Sequence, residues 1–149
     1  MSQTYFGSAL RSGSGTLTDT TDGGYAVLMQ TSTVTTVAAG TASSTSVVIP
    51  AGSQIVDLIV DQVQNEVVGG GTANAINATI GTAAAGTQYV SATDVIGGGR
   101  AAFTFTAAQL AAMADVSTST SVFLTVDPNG TISTTQGIYR LTVVYAQKG

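Results

Sequence analysis

Asp57 and Asp61 are the two residues whose type and spacing most invite chemistry, because paired carboxylates can divide general acid and base roles between them. On a strand they share one face but stand about 13 Å apart. That exceeds the about 5 to 10 Å that glycoside hydrolysis requires of its carboxyl pair. On a helix they would converge. Asp19, Asp22 and Asp127 sit in turn-like sequences that could offer oxygens to Ca²⁺, but none follows an EF-hand spacing, and Asp in a turn ordinarily caps its own backbone. The chain has no His and no Cys. The commonest general base, the thiolate nucleophile and the usual zinc ligands are therefore all missing. Serine and threonine are plentiful, yet no G-x-S-x-G elbow and no activating partner accompanies them. The Gly-Gly-Gly runs at Gly69 and Gly97 lack the Lys-Ser/Thr of a phosphate loop and read as loop tips. Asn77-Ala-Thr79 and Asn129-Gly-Thr131 match the glycosylation sequon, which carries weight only behind a secretory signal. The expectation is a non-enzymatic protein with no cofactor and no metal.

Composition points the same way. Charged residues make up 8% of the 149, threonine is the commonest residue, and the net charge is −4 with Arg11, Arg100, Arg140 and Lys148 as the cations. Ordinary soluble domains carry about 25% charge. So sparse a set of cations cannot release many phosphate counterions, which excludes nucleic acid as an expected partner. No apolar run reaches the roughly 18 residues of a membrane helix, and the N-terminus shows no cationic start followed by an apolar core. A product made in the cytoplasm and delivered by assembly is expected. Hydroxyl-rich surfaces with few ions suit proteins whose faces are covered by neighbours.

The elements that would position any site centre on Thr45 to Val63, TSVVIPAGSQIVDLIVDQV. Ile55 to Val63 fits two periods. As a helix, Ile55, Leu58, Ile59 and Val63 form a stripe; as a strand, Val56, Leu58 and Val60 line the core while Asp57 and Asp61 face outward. The β-branched content and the flanking Pro50-Ala51-Gly52 and Gly69-Gly70-Gly71 breaks favour a strand. The stretch then reads as two strands and a corner.

Before it, residues 1–24 are rich in Ser, Thr and Gly and read as an extended arm with Tyr5, Phe6, Leu10 and Arg11 as candidate partner-binding residues. Fully extended, the arm could reach on the order of 80 Å. The domain proper is expected over 25–149. A strand starts at Tyr25 after Asp22-Gly23-Gly24, and Ala38 to Ser46 reads as a loop. Thr72 to Ile80, Gln88 to Ser91 and Arg100 to Phe105 read as strands, the last with Ala101, Phe103 and Phe105 in the core. Thr106 to Gln109 has capping-box spacing, so Ala107 to Ala114 is expected as a short helix plugging the core with Leu110 and Met113. Ser121 to Val126 and Ile138 to Ala146 complete the pattern around an Asp127-Pro128-Asn129-Gly130 turn, with Tyr139, Leu141, Val143 and Tyr145 on one face. Together these give an all-β fold, an antiparallel β-sandwich or jelly roll of about eight strands with one short helix.

The run VVIPAGSQIVDLIVDQV, the strand INATIGT, the segment YVSATDV and the closing YRLTVVYAQ resemble β-sandwich structural proteins of tailed bacteriophage virions, particularly head decoration (cement) proteins. The resemblance covers roughly Thr45 to Gln147 and rests on strand phrasing. It implies a virion protein on the capsid exterior, made in the host cytoplasm, often a homotrimer, that binds the major capsid protein and reinforces the shell. No catalytic residues come with it. A tail or fibre component for host or glycan attachment is the alternative, and it would want exposed aromatics at loop tips.

Overall fold

The structure, a computed structural model, describes residues 25–67, 71–132 and 135–148. It is an all-β sandwich of two four-stranded antiparallel sheets. The elements are β1 (Tyr25–Thr35), β2 (Ser43–Ile49), β3 (Ser53–Gln64), β4 (Ile76–Gly81), β5 (Val90–Asp94), β6 (Gly99–Arg100), α1 (Ala107–Ala114), β7 (Thr120–Pro128) and β8 (Ile138–Lys148). One sheet has the order β1-β8-β3-β6 and the other β2-β7-β4-β5.

That order has a simple logic. β1 pairs with β8, β2 with β7, β3 with β6 and β4 with β5, as if one long antiparallel ribbon had been rolled up. The roll brings β3 beside β8 and β4 beside β7, which closes the two sheets. This is jelly-roll connectivity. The corner at Pro50-Ala51-Gly52 is where the chain leaves one sheet for the other, so the Thr45 to Val63 stretch forms two strands and a corner, as its composition suggests. Gly52 takes φ +73 there.

β7 and β8 are central in their sheets, and their inward residues form the middle of the core. Val122, Leu124, Val126, Tyr139, Leu141 and Val143 are all inaccessible to solvent. Ile76, Ala78 and Ile80 of β4 join them on the face that their alternation assigns. Helix α1 occupies the expected residues. Gln109 N–H donates to Thr106 Oγ1 at 3.3 Å and Thr106 N–H donates to Gln109 Oε1 at 2.9 Å, which closes the capping box.

Several expectations need correcting. Val56 is 53% exposed rather than in the core, because the register against β8 slips between Ile55 and Asp57. This bulge places two consecutive residues outward, and Ile55, Leu58 and Val60 are the buried set. Leu110 is 52% exposed, so Met113 alone of the proposed pair plugs the core. Of the Arg100 to Phe105 segment only Arg100 lies in a strand, at the end of β6; Phe103 and Phe105 still pack against the core, but from outside any strand. β2 begins at Ser43, inside the segment expected as a loop, and β4 begins only at Ile76. The Asp127 to Gly130 turn is displaced toward its end: β7 runs through Pro128, and Gly130 takes φ +119.

Candidate interaction surface

Register places the outward residues of the β1-β8-β3-β6 sheet in rows. Val27, Ala146 and Gln54 form the first; Met29 and Val144 with the Val56 and Asp57 bulge form the second; Thr31, Thr142 and Ile59 form the third. The fourth is Thr33, Arg140, Asp61 and Arg100. The outer face of a sandwich sheet should alternate to polar. Here the first three rows hold Asp57 as their one charged residue, and Val27 and Met29 are 64% and 69% exposed. With strands about 4.8 Å apart and same-face residues about 6.7 Å apart, these rows cover on the order of 200–300 Å². Within this area Val27, Met29 and Val56 are the exposed large apolar side chains, set among Gln54, Asp57 and Thr31, while Ala146 and Thr142 of the central β8 are covered by their neighbours.

The fourth row closes this face with charge. Asp61 Oδ1 accepts from Arg100 Nε at 2.8 Å, and Asp61 Oδ2 accepts from Arg140 Nη2 at 2.9 Å. The hydrogen bond from Arg100, then that from Arg140, holds the Asp61 carboxyl below the usual carboxylate range. Asp61 is thus spoken for on both sides and kept ionised. Asp57 instead accepts from the Leu58 N–H through Oδ1 at 2.8 Å, which stabilises the bulge. The two carboxylates have separate tasks and no shared site.

A second polar cluster lies at the end of β3. Tyr139 Oη donates to Glu66 Oε2 at 2.9 Å, and Gln62 Nε2 donates to Tyr139 Oη at 3.0 Å and to the same Glu66 oxygen. Burial, and then the Glu66 bond, pushes the Tyr139 phenol far above its ordinary value. It is a neutral, anchored phenol that ties β3 to β8. Asp94 Oδ1 accepts from the Ile76 and Ile96 N–H groups, both at 3.0 Å, and so fastens the β5 end to β4. Among the described residues no three His, Cys, Asp or Glu side chains gather as a metal site. Asp127 lies at the end of β7, while Asp19 and Asp22 fall outside the described residues. Tyr5, Phe6, Leu10 and Arg11 also fall outside them.

Sequence reasoning missed the apolar outer face, although the alternation of Tyr25 to Gln30 contains Val27 and Met29 in plain sight. The missing information was which of the two faces of β1 is inward. No helix among the described residues is long and apolar enough to cross a membrane. Comparison with known proteins finds no matching family model, no matching curated protein and no matching solved structure.

Proposed function

We propose that this protein is a structural component of a phage virion, a decoration protein that binds the outside of the capsid and stabilises the shell through contacts with the major capsid protein and with its own copies. The observation that carries the reading is the outer face of the β1-β8-β3-β6 sheet, which exposes Val27, Met29 and Val56, holds Asp57 as the one charged residue of its first three rows, and is bounded by the Arg140, Asp61 and Arg100 row. Apolar contact surface of this kind suits lasting association with protein better than it suits catalysis. The resemblance of the strand phrasing to cement proteins supplies the partner, and jelly rolls recur among viral structural domains. A fold does not choose a function by itself. Repetition over a lattice turns modest single contacts into strong retention, because each later contact forms at high effective concentration.

Host or glycan attachment fits less well. Val27, Met29, Val37, Val48, Val56, Val63, Val67 and Leu110 are the exposed large hydrophobics of the described residues, and none is aromatic. Stacking platforms for sugars need aromatic faces. The test is to mix the purified full-length chain with expanded, undecorated capsids and measure binding. Saturable binding is expected; its absence across salt and pH would overturn the reading.

A further inference from the structure

Asn129-Gly130 sits where the loop after β7 is fastened to the loop before β4, and every backbone N–H from 129 to 132 is held. Asn129 N–H donates to Ala75 O at 2.9 Å, Gly130 N–H to Pro128 O at 2.9 Å, Thr131 N–H to Thr72 Oγ1 at 3.0 Å and Ile132 N–H to Ala38 O at 3.1 Å. In return the Thr72 and Ala73 N–H groups donate to Thr131 O at 3.0 and 3.1 Å. The Asn129 side chain is exposed, and its Nδ2 donates to Asn74 Oδ1 at 3.0 Å. Gly130 has no room for a side chain: an added Cβ would lie 2.7 Å from Thr72 Oγ1, and one on Gly40 would collide with the Gly130 carbonyl.

Asparagine followed by glycine is the pair most open to loss of its own side-chain amide, because no side chain on the second residue blocks approach of its backbone nitrogen. The Gly130 nitrogen gives its proton to solvent base and bonds to Asn129 Cγ; the Cγ–Nδ2 bond breaks and ammonia leaves, which closes a succinimide ring. Water then opens that ring at either carbonyl, to aspartate or isoaspartate. In the folded turn both reacting groups are engaged elsewhere: the Gly130 N–H is turned to Pro128 O, and the carboxamide is tethered to Asn74. Asn65, Asn74 and Asn77 precede Glu, Ala and Ala, so Asn129 is the asparagine with a glycine behind it.

We propose that Asn129 is a self-modification site, a deamidation-prone residue that the folded loops and the Asn74 side chain hold unreactive, so that it converts only when this loop pair opens. Its reaction then follows the population of the open state, as slow amide exchange does. The product cannot restore the closed state. A carboxylate at 129 sets an acceptor against Asn74 Oδ1 where a donor stood, and adds negative charge close to Asp127. Isoaspartate also routes the backbone through an extra methylene beside Gly130, which Thr72 and Gly40 already touch. Conversion therefore latches the loops apart at the buried Ala73 and Ile132. These loops flank β7 and β4, in the other sheet from the proposed contact face, and the site does not depend on what that face binds.

The test is peptide mapping by mass spectrometry of the full-length chain aged in mildly alkaline buffer, folded and in guanidinium chloride, beside its Asn74→Ala and Asn74→Asp variants. Cleavage after Arg100 and Arg140 isolates Ala101 to Arg140, in which Asn129 is the one asparagine. In denaturant Asn129 converts ahead of Asn65, Asn74 and Asn77, and in the folded chain it converts at least about tenfold more slowly than in denaturant. Asn74→Ala removes the tether and speeds the folded reaction roughly two- to tenfold, the effect of one hydrogen bond, while the rate in denaturant stays the same. Asn74→Asp keeps an acceptor oxygen and keeps the slow rate, which separates loss of the tether from general disturbance of the loop. Equal rates in the folded and denatured chain would overturn the proposal. So would an Asn74→Ala chain that reacts no faster than the unaltered one, or an Asn74→Asp chain that reacts as fast as Asn74→Ala.

Discussion

Replacing Val27 and Met29 with lysine separates the two roles that an apolar surface residue can have. Both side chains lie on the outer face of β1, 64% and 69% exposed, so the fold gains little from them. Surface substitutions away from special features stay within about 0.5 kcal/mol each. For a chain of this size that corresponds to a melting temperature lowered by no more than about 2–4 °C for the pair. An interface that covers them responds differently. Full burial of a Met or Val side chain contributes about 1.5–3 kcal/mol, and roughly two thirds of that remains to be gained here, about 1–2 kcal/mol per residue. Losing both contributions, and burying two unpaired ammonium groups, weakens each contact by at least about 2–4 kcal/mol, or roughly 30- to 1,000-fold. Thermal unfolding by circular dichroism and a capsid cosedimentation isotherm read the two quantities separately. Unchanged capsid affinity in a folded V27K/M29K chain would refute the assignment of this face as the contact surface. A collapse in melting temperature would show that these residues serve the core instead.

The bulge in β3 predicts an asymmetry: Val60→Ala destabilises by about 2–3 kcal/mol while Val56→Ala stays within about 0.5 kcal/mol, as chemical denaturation would measure. Equal costs would mean that the strand runs without the bulge. Gly130→Ala is expected to cost about 2–3 kcal/mol by the same assay, since Gly130 takes φ +119 and an added Cβ would lie 2.7 Å from the Thr72 carbonyl carbon. Asp61 has a folded pKa below its unfolded value, so its contribution is present at neutral pH and is lost as pH falls below about 4. Asp61→Asn should therefore flatten the acid limb of the stability profile, and an unchanged acid limb would count against the Arg100 and Arg140 pairing.

Local signals carried most of the fold. The capping box over Thr106 to Gln109 is complete within four residues of sequence, and β8 alternates cleanly because its inward set, Tyr139 to Tyr145, faces a dry core throughout. What stayed hidden depends on partners distant in sequence. The bulge at Val56 exists only relative to β8, and helix-like ambiguity around Leu58 is what a slipped strand leaves in a periodicity. Phe103 and Phe105 alternate like strand residues, but their backbone meets no partner strand past Arg100. Asp61 reads as a lone acid until the register brings in Arg100, 39 residues away, and Arg140, 79 residues away. Ser43 to Ser46 resembles a loop because an edge strand with a solvated outer face asks for little apolar content. The proposed contact face is a property of neighbouring strands and a bulge, and no single stretch of sequence contains it.

Methionine oxidation gives the most direct reading of the central claim. Met29 is 69% exposed on the proposed contact face and Met113 is 4% exposed in the core, so the second serves as an internal control for the first. With the free protein, mild peroxide should convert Met29 to the sulfoxide quickly and Met113 slowly. On protein bound to expanded capsids, peptide mass spectrometry should find Met29 protected to the level of Met113. Equal oxidation of Met29 in free and capsid-bound protein would contradict the account.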